Sequence, residues 1–125
     1  MKVLCVDDST AMRRIIQGAV EVLGLGFLGA RNAQDAWALL EEQSGEIALI
    51  TLDWNMPEVT GYELLQKIKA EERFKELPVL MITAESERRN ITDAIKAGAK
   101  HYLTKPFSQE DLTARMLEAL GMGEL

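Results

Sequence analysis

The run Ile47-Ala48-Leu49-Ile50-Thr51-Leu52, closed by Asp53, decides the fold. Five of its six residues before the acid are apolar, with no polar alternation. A strand of that kind suits burial on both faces, as in a parallel sheet covered by helices. Two other runs share the character: Val3-Leu4-Cys5-Val6, closed by Asp7-Asp8, and Val79-Leu80-Met81-Ile82-Thr83. Two weaker runs, Gly26–Ala30 and His101–Thr104, fit strands nearer the sheet edges.

Five amphipathic stretches separate or follow these runs. The first follows Ser9-Thr10 and places Met12, Ile15, Ile16, Ala19, Val20 and Leu23 at helical spacing, with Gly24 and Gly26 ending it. The second starts at Asn32, a good N-cap, and carries Ala36, Leu39 and Leu40. The third begins at Gly61 and carries Leu64, Leu65 and Ile68. The fourth is expected over Ser86–Ala97, with Ile91 and Ile95, stopping at Gly98. The fifth opens at Ser108, with an acid three residues on, and carries Leu112, Met116, Leu117 and Leu120. A βαβ series implies right-handed crossovers and helices on both faces. No repeat, linker or second domain is expected, and the segment Gly121–Leu125 reads as a frayed tail.

Composition narrows the function classes. The 125 residues fit one domain with its own core. A net charge of -6 argues against general nucleic-acid binding, which needs a basic field. The lone Cys5, inside an apolar run, excludes an internal disulfide and reads as core, so a reducing cytoplasm is the expected location. No stretch approaches a membrane span, and no membrane insertion is expected.

In open α/β sheets the functional crevice lies beyond the carboxyl ends of the strands. There the sequence puts Asp7-Asp8, Asp53, Thr83-Ala84 and Lys105-Pro106, while the second run ends at Arg31-Asn32 with no comparable chemistry. Three crowded carboxylates repel and favour protonation unless a cation neutralises them. A hard divalent ion such as Mg²⁺ suits such oxygens. One carboxylate can then act as a nucleophile toward phosphorus, helped by a lysine ammonium and a hydroxyl donor.

Four segments, in order, carry a resemblance: Asp7-Asp8; Leu52-Asp53-Trp54-Asn55-Met56-Pro57 with Gly61; Met81-Ile82-Thr83-Ala84-Glu85; and Tyr102-Leu103-Thr104-Lys105-Pro106-Phe107. Together they resemble the response-regulator receiver family, and within it the chemotaxis-type, CheY-like stand-alone regulators. The resemblance implies one receiver domain over residues 1–125. Its fold would be flavodoxin-like: a doubly wound, five-stranded parallel sheet of order 2-1-3-4-5, flanked by five helices. It implies that Asp53 is the phosphoacceptor. Asp8, Asp53 and the backbone carbonyl of Asn55 would ligate Mg²⁺, with Asp7 acting through water. Thr83, Ala84 and Lys105 would bind the phosphoryl group, Tyr102 would be the switch aromatic, and Pro106 is a candidate for a cis bond. Arg88, Ile91, Ile95, Thr104, Ser108 and Arg115 would form the partner face. Implied partners are a histidine kinase as phosphodonor, a downstream target such as a flagellar switch component, and a phosphatase. The regulator is expected to be a monomer and not an enzyme beyond its own phosphorylation and dephosphorylation.

Two alternatives fit parts of the pattern. One is a single-domain phosphorelay shuttle. The other is a phosphatase or related hydrolase with an aspartyl nucleophile; such enzymes usually carry an acid two residues beyond it, where Asn55 cannot serve as general acid or base. Trp54 is expected to pack beside the site and report on it. Arg13-Arg14 read as a solvated face and His101 as a solvated loop residue. Arg88-Arg89 could be a solvated face or a partner contact.

Overall fold

The computed structural model describes residues 1–84, 87 and 89–122. Five strands, β1 (Lys2–Val6), β2 (Gly26–Ala30), β3 (Ile47–Asp53), β4 (Val79–Ala84) and β5 (His101–Lys105), form one sheet of order β2-β1-β3-β4-β5. Every pairing is parallel. The strongest apolar runs occupy the three central positions and the weaker ones the edges.

Strand parity divides the core in two. Val3, Cys5, Leu49, Leu80, Ile82 and Leu103 face helices α1 (Thr10–Val22) and α5 (Gln109–Ala119). Leu4, Val6, Ile50, Leu52, Val79 and Met81 face α2 (Ala33–Gln43), α3 (Gly61–Ala70) and α4 (Asn90–Lys96). Ile47 and Leu49 would share a face in a regular strand, yet they lie in opposite cores. A register shift, in which Lys2 pairs Ile47 and Val3 pairs Leu49, skips Ala48 and reverses the parity.

Helix starts follow local chemistry. The side chains of Ser9, Asn32 and Ser108 accept hydrogen bonds from the N–H groups of Met12, Asp35 and Asp111, capping α1, α2 and α5. Thr60 and Glu63 form a reciprocal capping box at α3. Gly24, with φ of 77°, ends the turn after α1. Gly26, expected to help end that helix, instead opens β2, where a Cβ would approach the Lys2 side chain to 2.9 Å. Helix α4 spans Asn90–Lys96 rather than Ser86–Ala97; Ser86 lies outside the described residues, and Ala97 is the C-cap before Gly98 at φ of 108°. Glu85, Arg88 and the end of the expected tail also lie outside them. Among the described residues, no helix is long and apolar enough to cross a membrane.

Candidate functional site

The strand order sets β1 and β3 side by side at the centre, so their carboxyl ends bring Asp7, Asp8 and Asp53 together. One carboxylate oxygen from each lies within 4.8 Å of the others. Asp7 and Asp53 are buried and Asp8 is exposed. Asp7 is held at both backbone ends of its residue: its N–H donates to the Ala30 carbonyl at 3.0 Å, and its carbonyl accepts from Arg13 Nη1 at 2.6 Å. Its Oδ1 accepts from the Ser9 N–H at 2.9 Å. Its Oδ2 is buried without a hydrogen bond among the described residues, 3.6 Å from Lys105 Nζ.

Asp53 closes β3. The chain then turns back on itself, with Glu58 at φ of 67° and the Gly61 N–H donating to the Trp54 carbonyl at 2.9 Å. A Cβ on Gly61 would sit 2.0 Å from the Asp53 carbonyl oxygen, so only glycine permits α3 to start this close to the acid. Lys105, at the end of β5, donates from Nζ to Asp53 Oδ1 at 3.3 Å. The Lys105–Pro106 peptide bond is cis.

Burial, then repulsion from Asp7, pushes the Asp53 carboxyl up to about 6; Lys105 and the Asn55 N–H pull it partly back. Three hard oxygen donors in this space, one of them an orphaned buried carboxylate oxygen, make a set that suits a divalent cation of the Mg²⁺ type.

Thr83, on the opposite face of the sheet by strand parity, is buried, and among the described residues its hydroxyl has no hydrogen-bond partner. Such an orphan costs about 1–3 kcal/mol. It pairs in register with Thr104, and half-buried Ala84 with Lys105. Tyr102, two residues before Thr104, is 38% exposed. Helices α4 and α5 both pack against β5. Along that face Ile91 and Thr104 are half-buried, Ile95 is exposed, and Ser108 is exposed as the α5 cap. Arg115 pairs with Glu118.

Asn55 is exposed beside the acids, and its Nδ2 donates to Glu87 Oε2 at 3.4 Å; that oxygen also accepts from Asn90 Nδ2 at 2.9 Å. Trp54 is half-buried and stacks on Tyr62 with ring centroids 4.8 Å apart.

Arg13 and His101 sit elsewhere than their local sequence suggests. Arg13 is not part of a solvated face: it is half-buried, its guanidinium bonded to Asp7, while Arg14 is exposed. Only its spacing of six from Asp7, one turn inside the helix after the acid pair, signals this reach. His101 is not a loop residue; it opens β5, and its Nε2 lies 3.2 Å from Glu118 Oε2 of α5.

Residues 3–117 match the response regulator receiver domain family, and the chain belongs to it. Members of this family are signalling modules of two-component systems rather than classical enzymes. Chemotaxis protein CheY1 of Helicobacter pylori strain J99 is 42% identical over 125 residues, covering 99% of this chain and 100% of that protein. Chemotaxis protein CheY of Pseudomonas aeruginosa is 43% identical over 117 residues, 93% of each chain. The solved structure of Vibrio cholerae chemotaxis protein CheY4 superposes with a TM-score of 0.85 at 29% identity, covering 94% of this chain and 97% of that one.

Proposed function

We propose that this receiver is a chemotaxis response regulator that takes a phosphoryl group on Asp53 and thereby changes its affinity for a downstream target. The observation that carries the reading is the placement of Asp53: buried at the end of the central strand, within 4.8 Å of two further acids and bonded to Lys105. Likeness to chemotaxis proteins over essentially the whole chain supports the pathway.

A carboxylate oxygen of Asp53 attacks phosphorus, and the phosphorus–nitrogen bond of a phosphohistidine on the kinase breaks, returning its electron pair to the imidazole. At pH 7 a carboxyl with a value of about 6 is mostly ionised and ready to attack. Asp8, Asp53 and the Asn55 carbonyl would hold Mg²⁺, with Asp7 reaching it through water. The ion, when bound, supplies charge neutralisation for the transferred phosphoryl group. Lys105, now shared between Asp53 and Asp7, turns its ammonium to a phosphoryl oxygen. The unpartnered Thr83 hydroxyl donates to another, beside the backbone of Ala84. Tyr102 follows Thr83, which alters the face carrying Arg88, Ile91, Ile95, Thr104, Ser108 and Arg115. A target that binds the two states tenfold differently needs about 1.4 kcal/mol from this change. A flagellar switch component is the target class, and a phosphatase of the pathway acts on the same site. The chain works as a cytoplasmic monomer.

Incubation with acetyl phosphate and Mg²⁺ should add one phosphoryl mass to the wild type and none to Asp53→Asn. Equal uptake by both would move the acceptor elsewhere.

A further inference from the structure

We propose that Arg13 is a positioning residue for the acid pair: it fixes the peptide between Asp7 and Asp8 so that their carboxylates converge with that of Asp53. This rests on the metal-assisted reading above and assigns a role outside the acids themselves. Arg13 lies one turn into α1, and its stem crosses toward β2 at Gly29, where a Cβ would come within 3.6 Å of Arg13 Cδ. One branch of the guanidinium donates to the Asp7 carbonyl at 2.6 Å and the other to Thr10 Oγ1 at 3.2 Å. A planar fork held at two points has little freedom left, and a bond from a charged donor is roughly twice as strong as a neutral one.

The geometry explains what that bond does. The Asp7 N–H is already fixed by Ala30. Holding the carbonyl as well sets the plane of the peptide that continues into Asp8. Among the described residues the Asp8 carboxylate has no hydrogen bond or ion pair, so its direction depends on its backbone. Asp7 orients its own carboxylate through the Ser9 N–H, and Ser9 in turn caps α1. The helix that carries Arg13 thus closes a short ring through Ser9 and Asp7.

Charge makes the role testable by sign. A guanidinium bonded to the Asp7 carbonyl brings positive charge toward the acid cluster and repels an incoming divalent cation, so removing it should tighten Mg²⁺ binding if charge alone matters. If Arg13 positions the acids, removing its donors should weaken binding despite the lost repulsion. Arg13→Met keeps the stem over β2 and deletes both donors. Its Mg²⁺ affinity, read by Trp54 fluorescence and by calorimetry, should fall about five- to tenfold. Arg13→Lys, which can still donate to the carbonyl, should stay within about threefold of wild type. Arg14→Met removes an equal charge one residue away from an exposed side chain and should bind as tightly as wild type or slightly tighter. Melting curves in EDTA establish that each variant is folded at the titration temperature. If the wild type responds to Mg²⁺ and Arg13→Met binds equally or more tightly, the positioning role is overturned while the metal reading stands. A wild type that ignores Mg²⁺ overturns the metal reading and this role with it.

Discussion

Asp53→Asn should stabilise the metal-free protein while removing the proposed phosphoacceptor. The carboxyl is pushed from an ordinary 3.8 to about 6, first by burial and then by Asp7, against the pull of Lys105. A rise of that size corresponds to about 3 kcal/mol of preference for the neutral form. The rim opens to water beside exposed Asp8, and solvent screening reduces the penalty to about 1–2 kcal/mol. Between pH 4 and 6 the folded state holds a proton that the unfolded chain has released. Wild-type stability therefore falls as pH rises through that window and levels off above it. Asparagine keeps the shape and does not titrate. In EDTA at pH 7.5 the variant should unfold about 1–2 kcal/mol later in urea and melt about 4–8 °C higher. The excess should shrink toward zero by about pH 4, where the wild-type group is neutral. Saturating Mg²⁺ should close much of the gap by stabilising the wild type. A variant no more stable than wild type at pH 7.5, or an excess that persists unchanged at pH 4, would refute the electrostatic account of this site.

Gly61→Ala should cost about 3 kcal/mol or more, read from the urea midpoint, because the new methyl meets backbone that cannot retreat. Gly18→Ala, inside α1, where the added methyl meets nothing within 4 Å apart from its chain neighbours and the helix's own backbone, should instead gain about 0.5–1 kcal/mol; similar effects at the two positions would contradict the packing described. Beryllofluoride with Mg²⁺ should shift amide resonances at Thr83, Tyr102 and α4 as well as at Asp53. Shifts confined to Asp53 would refute the proposed route to the partner face.

The parts of this fold legible in the sequence are those set by local pattern. Ile47–Leu52 reads as a buried strand because both its faces are covered, and Asn32 and Ser108 read as caps because their side chains act within three residues. The rim residues are legible because a parallel sheet aligns every strand's carboxyl end on one side. What escaped depends on distant contacts. Phe74 sits in the charged stretch Glu71–Glu76, with no local sign of burial, yet it is 1% exposed and meets Trp37 edge-on at 5.1 Å. The parity reversal at Ala48 arises from pairing with β1, not from any residue in β3. Arg13 looks like an ordinary helix-surface cation until the Asp7 carbonyl is placed beside it.

Strand parity also divides the residues of the proposed site between two layers. Asp7, Asp53 and Lys105 share parity with Cys5, Leu49 and Leu103, on the side of α1 and α5. Thr83 and Tyr102 share parity with Met81 and Thr104, on the side of α4. A group added to the end of β3 would project beyond the strand ends, where side chains of both parities can reach it. In the proposed switch Lys105 grips it from one layer and Thr83 from the other. Charge on the phosphoryl group is met by an ammonium that already has carboxylate partners, so its move exchanges one anion for another. Among the described residues Thr83 has no hydrogen-bond partner to give up: in the proposed switch its buried hydroxyl would gain an acceptor, relieving an orphan penalty of about 1–3 kcal/mol. That asymmetry would make Thr83 the residue with free energy to contribute to the proposed switch. In the proposed switch, because Thr83 lies on the α4 side, the same face as exposed Tyr102, its movement would change the α4–β5–α5 surface rather than the α1–α5 layer that holds Lys105.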